Sequence, residues 1–100
     1  MANTNPTTDL QALRAFVAVA REGNVSRAAQ HLHRSQPAVS LQLKSLAAST
    51  GLLLFTRTPQ GLALTRDGAA LLPHAGRALA AAADFGHAAR RLLSTVRGPL

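Results

Sequence analysis

The chain has 100 residues, room for about one domain, and 47% hydrophobic against 15% charged residues excludes a disordered polar tail. Eleven Lys and Arg against four Asp and Glu leave a net charge of +7, which points to a polyanionic partner, nucleic acid first. Without cysteine there is neither a disulfide nor a thiolate metal site, and a reducing compartment is the easier home; no apolar run approaches the roughly 18–20 residues of a membrane span.

Residues 1–8 are small and polar, with no basic-then-apolar secretion signal, and read as a loose leader. Thr8-Asp9-Leu10-Gln11 marks a helix start, with Thr8 or Asp9 as cap and Thr8 and Gln11 at capping-box spacing. Leu10, Leu13, Phe16, Val17 and Ala20 recur at helical spacing, and Gly23 is the stop. Asn24 caps a short second helix whose apolar positions are Ala28, Ala29 and Leu32; two adjacent alanines let another helix come close. After a brief connection at His33 and Arg34, Ser35 caps a third helix with Pro37 in its first turn, where a missing N–H costs nothing. Val39, Leu43 and Leu46 form its buried stripe and Gly51 ends it, so the pair of helices is a helix-turn-helix candidate.

Leu52 to Arg57 is too short for a helix and is predicted as a strand; Thr58-Pro59-Gln60-Gly61 fits a type I turn, and Leu62-Ala63-Leu64 returns. A two-stranded ribbon after a helix-turn-helix is a wing, with Pro59, Gln60 and Gly61 at its tip. Thr65 caps a fourth helix, with Asp67 set against the dipole and a pattern running to Arg97. Along it Leu71, Ala75, Ala78, Ala82, Phe85, Ala89, Leu92 and Val96 alternate by four and three, a heptad stripe. Pro73 is expected to kink or adjust its early turns. About 30 helical residues extend some 45 Å, more than a three-helix core can cover, so this stripe is expected to be a homodimer seam. Gly98-Pro99 reads as a stop or linker.

With Val39, Leu43 and Leu46 turned inward, the opposite side of the third helix carries Gln36, Pro37, Ser40, Leu41 and Lys44. That face holds an amide, a hydroxyl and an ammonium but no acid, and a major groove admits such a helix. Gln can pair with adenine and Ser with several bases; Leu41 either meets a thymine methyl or packs beneath a neighbour. Between Arg21 and Arg66 the bases are Arg21, Arg27, Arg34, Lys44, Arg57 and Arg66, and Glu22 is the single acid. Ser26 and Arg27 at the start of the second helix suit phosphate contact, and Arg57 at the base of the wing faces phosphate or minor groove. Arg34 is either a simple surface charge or a further phosphate contact.

Five segments, in order, resemble the N-terminal part of LysR-type transcriptional regulators. They are Leu10-x-x-Leu13-x-x-Phe16, Asn24-Val25-Ser26-Arg27-Ala28-Ala29-x-x-Leu32, Ser35-Gln36-Pro37-Ala38-Val39-Ser40, Leu54-Phe55-x-Arg57 and Leu64-Thr65-x-x-Gly68. The resemblance implies a mainly α fold: a winged helix-turn-helix over 9–64 (three helices and a two-stranded wing), a dimerising linker helix over 65–97, and a hinge at 98–100 to a larger effector domain beyond this chain. It implies a bacterial, cytoplasmic regulator that binds partly palindromic double-stranded DNA, with base contacts from Gln36, Pro37 and Ser40 and backbone contacts from Ser26, Ser35 and Thr65. Any small-molecule inducer would belong to the effector domain, and no cofactor is expected here. The sequence departs from the family at Leu41, where Arg is usual, at Ala47 after Leu46 in place of Glu, at Gln60 for a basic wing tip, and at Arg34 for an apolar turn residue.

Two other classes share some features. A sequence-indifferent architectural DNA binder would use the charge without the polar face, and an oligomerisation module would use the heptad helix alone. An enzyme fits least: there are four acids, no cysteine, no phosphate-binding glycine loop, and no histidine grouped with serine and aspartate. His31 and His33 lie two apart on different helix faces and make no metal site; His74 and His87 are expected to be exposed or at the seam.

Overall fold

The computed structural model describes residues 9–96, in the order α1 (Leu10–Glu22), α2 (Val25–Leu32), α3 (Gln36–Thr50), β1 (Phe55–Thr58), β2 (Gly61–Leu64) and α4 (Arg66–Val96). The expected leader at 1–8, Thr8 as a cap, the end of the last helix at Arg97 and the hinge at 98–100 lie outside these residues.

Each of the first three helices starts where a side-chain oxygen meets an orphan backbone donor. Asp9 accepts from the Gln11 N–H, Asn24 from Arg27 and Ser35 from Ala38. They end at left-handed residues: Gly23, His33 and Gly51. His33 is the one non-glycine with positive φ among the described residues, and its N–H caps carbonyls at the end of α2.

α1 is the hub and touches α2, α3, α4 and β2. Its Ala15, Ala18 and Val19 are buried with Ala28 and Ala29 of α2 and Val39 of α3, the close approach that the paired alanines allow. Phe16 begins a second cluster with Leu46 of α3, Leu54 and Ala75 of α4. The Phe55 ring meets Phe16 edge-on, centroids 5.7 Å apart, and so docks the wing on α1.

The wing is an antiparallel pair with Phe55 opposite Leu64 and Thr58 opposite Gly61. Its first strand begins three residues later than the sequence suggests. Leu52 to Leu54 are the connection from α3, and Leu54 is consumed as a core anchor instead of entering the ladder. The wing's backbone is also held close to the α1–α2 corner. The Leu62 N–H donates to the Gly23 carbonyl at 2.9 Å, and Gly61 (φ +136°) lies so close that a Cβ there would overlap that same oxygen.

α4 begins against Leu53 and Leu54. The Thr65 N–H donates to the Leu54 carbonyl, while the Thr65 hydroxyl donates to Leu53 and accepts from the Gly68 N–H. Gly68 is buried there, and a Cβ at this position would run into the Leu54 carbonyl, so the close approach requires glycine. The helix then continues unbroken through Pro73. Its 31 residues extend about 46 Å, most of the 60 Å long dimension.

One expectation needs correction. Ala75, placed in the dimer seam by spacing, packs inside this chain: it is buried with Phe16, Leu46 and Leu54, and the half-buried Leu71 leans on that cluster. Heptad spacing shows that a helix face is apolar; it does not show that α1 and α3 already cover the first three turns. Beyond them, Ala78, Phe85, Ala89 and Leu92 are exposed and Ala82 is half-buried.

Candidate nucleic-acid interface

Burial of Val39 and Leu46, with Leu43 packed against both clusters, fixes the rotation of α3 about its axis. Gln36, Pro37, Leu41 and Lys44 are consequently exposed and Ser40 is half-buried, one continuous acid-free face. Leu41 is 64% exposed, which settles its direction: it points outward and does not pack beneath a neighbour.

Ser26 and Arg27 are exposed at the first turn of α2, beside the start of α3. The Ser26 hydroxyl donates to Gln36 Oε1 at 3.1 Å, a link across ten residues that joins the two helices of the motif. The Ser35 hydroxyl accepts from Ala38 and keeps its own proton for another acceptor. Arg57 is exposed on β1, and Pro59 and Gln60 are exposed at the wing tip, which the Gln60 N–H tightens by donating to the Thr58 hydroxyl.

Thr65 is the cap expected from sequence: its hydroxyl accepts from the Gly68 N–H and donates its proton to the Leu53 carbonyl, which fixes the start of α4 under the wing. One residue is engaged more deeply than the sequence suggests. Arg34 is more than a surface charge: its Nη1 donates to Gln11 Oε1 at 2.6 Å and to Gln42 Oε1 at 2.7 Å, tying the motif's turn to α1 and α3. Its Nε and Nη2 protons remain for an anion. Gln11 and Gln42 were missed because partners 23 and 8 residues away leave no periodic trace.

Among the described residues no group of three metal-ligating side chains comes together, and no helix is long and apolar enough to cross a membrane. His74 and His87 are exposed on α4, each beside an arginine one turn on, at 3.0 Å to Arg77 and Arg90.

Comparison with known proteins agrees with this geometry. Residues 10–69 match the family described as bacterial regulatory helix-turn-helix protein, lysR family. The chain is 49% identical over 71 residues to the HTH-type transcriptional regulator TfdS of Cupriavidus pinatubonensis, covering 71% of this chain and 24% of that protein. It is 41% identical over 92 residues to an uncharacterized HTH-type transcriptional regulator of Azotobacter vinelandii, covering 92% of this chain and 64% of that protein. Among solved structures, the CbnR DBD–DNA complex is similar at TM-score 0.77 and 38% identity, over 84% of this chain and 97% of that one. The BenM DBD complex with catB site 1 DNA is similar at TM-score 0.81 and 29% identity, over 86% and 97%. The chain thus spans about a quarter of the length of a regulator such as TfdS.

Proposed function

The chain belongs to the lysR family of bacterial regulatory helix-turn-helix proteins, and from that membership we propose that it is the DNA-binding portion of a transcriptional regulator, reading double-stranded DNA by sequence as a homodimer. The observation that carries this reading is the α3 face. Gln36, Pro37, Ser40, Leu41 and Lys44 form an acid-free outward surface that begins beside the start of α2. The two structural neighbours captured with DNA lend support.

In this reading α3 enters the major groove with its N-terminal residues at base edges. Arg27, Ser35, Arg57 and the unengaged N–H groups of Arg34 meet phosphates, which position the reading helix without themselves carrying sequence information. The wing, with Pro59, Gln60 and Gly61 at its tip, follows the backbone beside it. The homodimer forms through α4. Phe85 (77% exposed), Leu92 (65%) and the neighbouring Leu93 form an apolar surface uncovered by the described residues, and Ala78, Ala82 and Ala89 allow close approach. Two α3 helices related by a two-fold would read a partly palindromic site. The protein acts in the bacterial cytoplasm, has no catalytic role, and needs no cofactor in this portion; an inducer would bind an effector domain.

The test is selection from a pool of random duplexes at roughly physiological salt, followed by sequencing. An enriched inverted repeat is the expected result. Retention without enrichment would replace this reading with that of a sequence-indifferent architectural binder, and no retention would leave an oligomerisation module.

A further inference from the structure

Ser26 and Gln36 face one another across the helix-turn-helix, and the direction of their hydrogen bond has a consequence for base choice. The Ser26 hydroxyl donates to Gln36 Oε1 at 3.1 Å. Ser26 is the second residue of α2 and Gln36 the first of α3, so this contact joins the two helix starts that lie at one end of the reading face. A glutamine on an exposed surface otherwise samples several rotamers and both orientations of its amide, and ordering such a side chain on binding costs affinity. The Ser26 contact occupies one lone pair of Oε1. The second lone pair and both N–H groups stay available, which is the donor-and-acceptor pair that adenine N7 and N6 require.

We propose that Ser26 is a positioning residue for sequence readout: its hydroxyl holds the Gln36 amide in the orientation that selects adenine at one base pair of each half-site. This rests on the functional reading above and assigns Ser26 an action through Gln36 in place of the phosphate contact expected from sequence. The two roles have different signatures. A lost phosphate contact weakens binding to every duplex alike, whereas a lost positioning contact relaxes preference at the one base pair that Gln36 meets.

The experiment uses the full chain and its Ser26→Ala, Ser26→Thr and Gln36→Ala variants, with the double variant Ser26→Ala/Gln36→Ala. Affinities are measured for the duplex enriched from the random pool and for duplexes substituted one base pair at a time. Ser26→Ala is expected to lower discrimination about three- to tenfold at the base pair where Gln36→Ala abolishes it, the worth of one neutral hydrogen bond. Ser26→Thr, which keeps the hydroxyl, restores it, and Ser26→Ala adds nothing once Gln36 is gone. Thermal melts of all variants confirm that each is folded. A uniform loss across all duplexes, or unchanged discrimination in Ser26→Ala, overturns the positioning role while leaving the functional reading intact. Absence of any base preference in the parent chain overturns both.

Discussion

Gly61→Ala tests how the wing is held. Gly61 has φ +136°, outside the regions an L side chain adopts readily, and a Cβ there would overlap the Gly23 carbonyl oxygen. That oxygen accepts the Leu62 N–H at 2.9 Å, so the methyl group cannot be accommodated without pushing the wing off the α1–α2 corner and breaking the bond. Forcing alanine into such backbone costs roughly 1–3 kcal/mol, and losing the hydrogen bond about 1 kcal/mol more. The stiffer unfolded chain returns up to about 1 kcal/mol, leaving a net loss of about 1–4 kcal/mol. For a domain of this size that lowers the melting temperature by roughly 4–30 °C. Circular dichroism melts give the shift, and amide hydrogen exchange at Leu62 reports the broken contact. A melting temperature within about 2 °C of the parent, with Leu62 as protected as before, would refute the reasoning.

Gly68→Ala and Gly76→Ala make a matched pair on α4. The first is expected to destabilise by about 1–3 kcal/mol because its methyl meets the fixed Leu54 carbonyl, the second to stabilise by up to about 1 kcal/mol because nothing lies within 4 Å, and urea titration separates the two signs. Arg34→Ala should lower the slope of log affinity against log salt by about one phosphate contact and also reduce stability by about 1 kcal/mol. The double effect, read by salt titration and thermal melting, distinguishes a bridge between Gln11 and Gln42 from a bare surface charge. Phe85→Asp should leave the monomer folded, since Phe85 is 77% exposed, and should convert a dimer to a monomer in sedimentation equilibrium; an unchanged dimer would place the interface elsewhere.

Local chemistry is what the sequence discloses best. Asn24 and Ser35 as caps, Gly23 and Gly51 as stops, and the inward stripe of α3 each follow from one residue's donors, acceptors or freedom at φ. The Ser-Gln-Pro segment could be placed on an outward helix face for the same reason. Long-range choices are less visible. An apolar run at Leu52–Leu54 suits a strand and a core anchor equally, and tertiary packing decides for the anchor. Leu71 and Ala75 obey the heptad spacing of Phe85 and Leu92, yet α1 and α3 reach only the former pair. The links from Arg34 to Gln11 and from Ser26 to Gln36 depend on three elements meeting at one corner, which no sequence period encodes.

The central claim is that the outward face of α3 reads the bases. Its most direct test compares the parent chain with the triple variant Gln36→Ala/Ser40→Ala/Leu41→Ala on the enriched duplex and on a scrambled one, across a range of salt. The expected result is that the variant loses most of the parent's preference for the enriched duplex, with the parent's salt dependence retained, because Arg27, Arg34 and Arg57 are unchanged. A variant that still prefers the enriched duplex would contradict the claim and move base reading to another surface of the molecule.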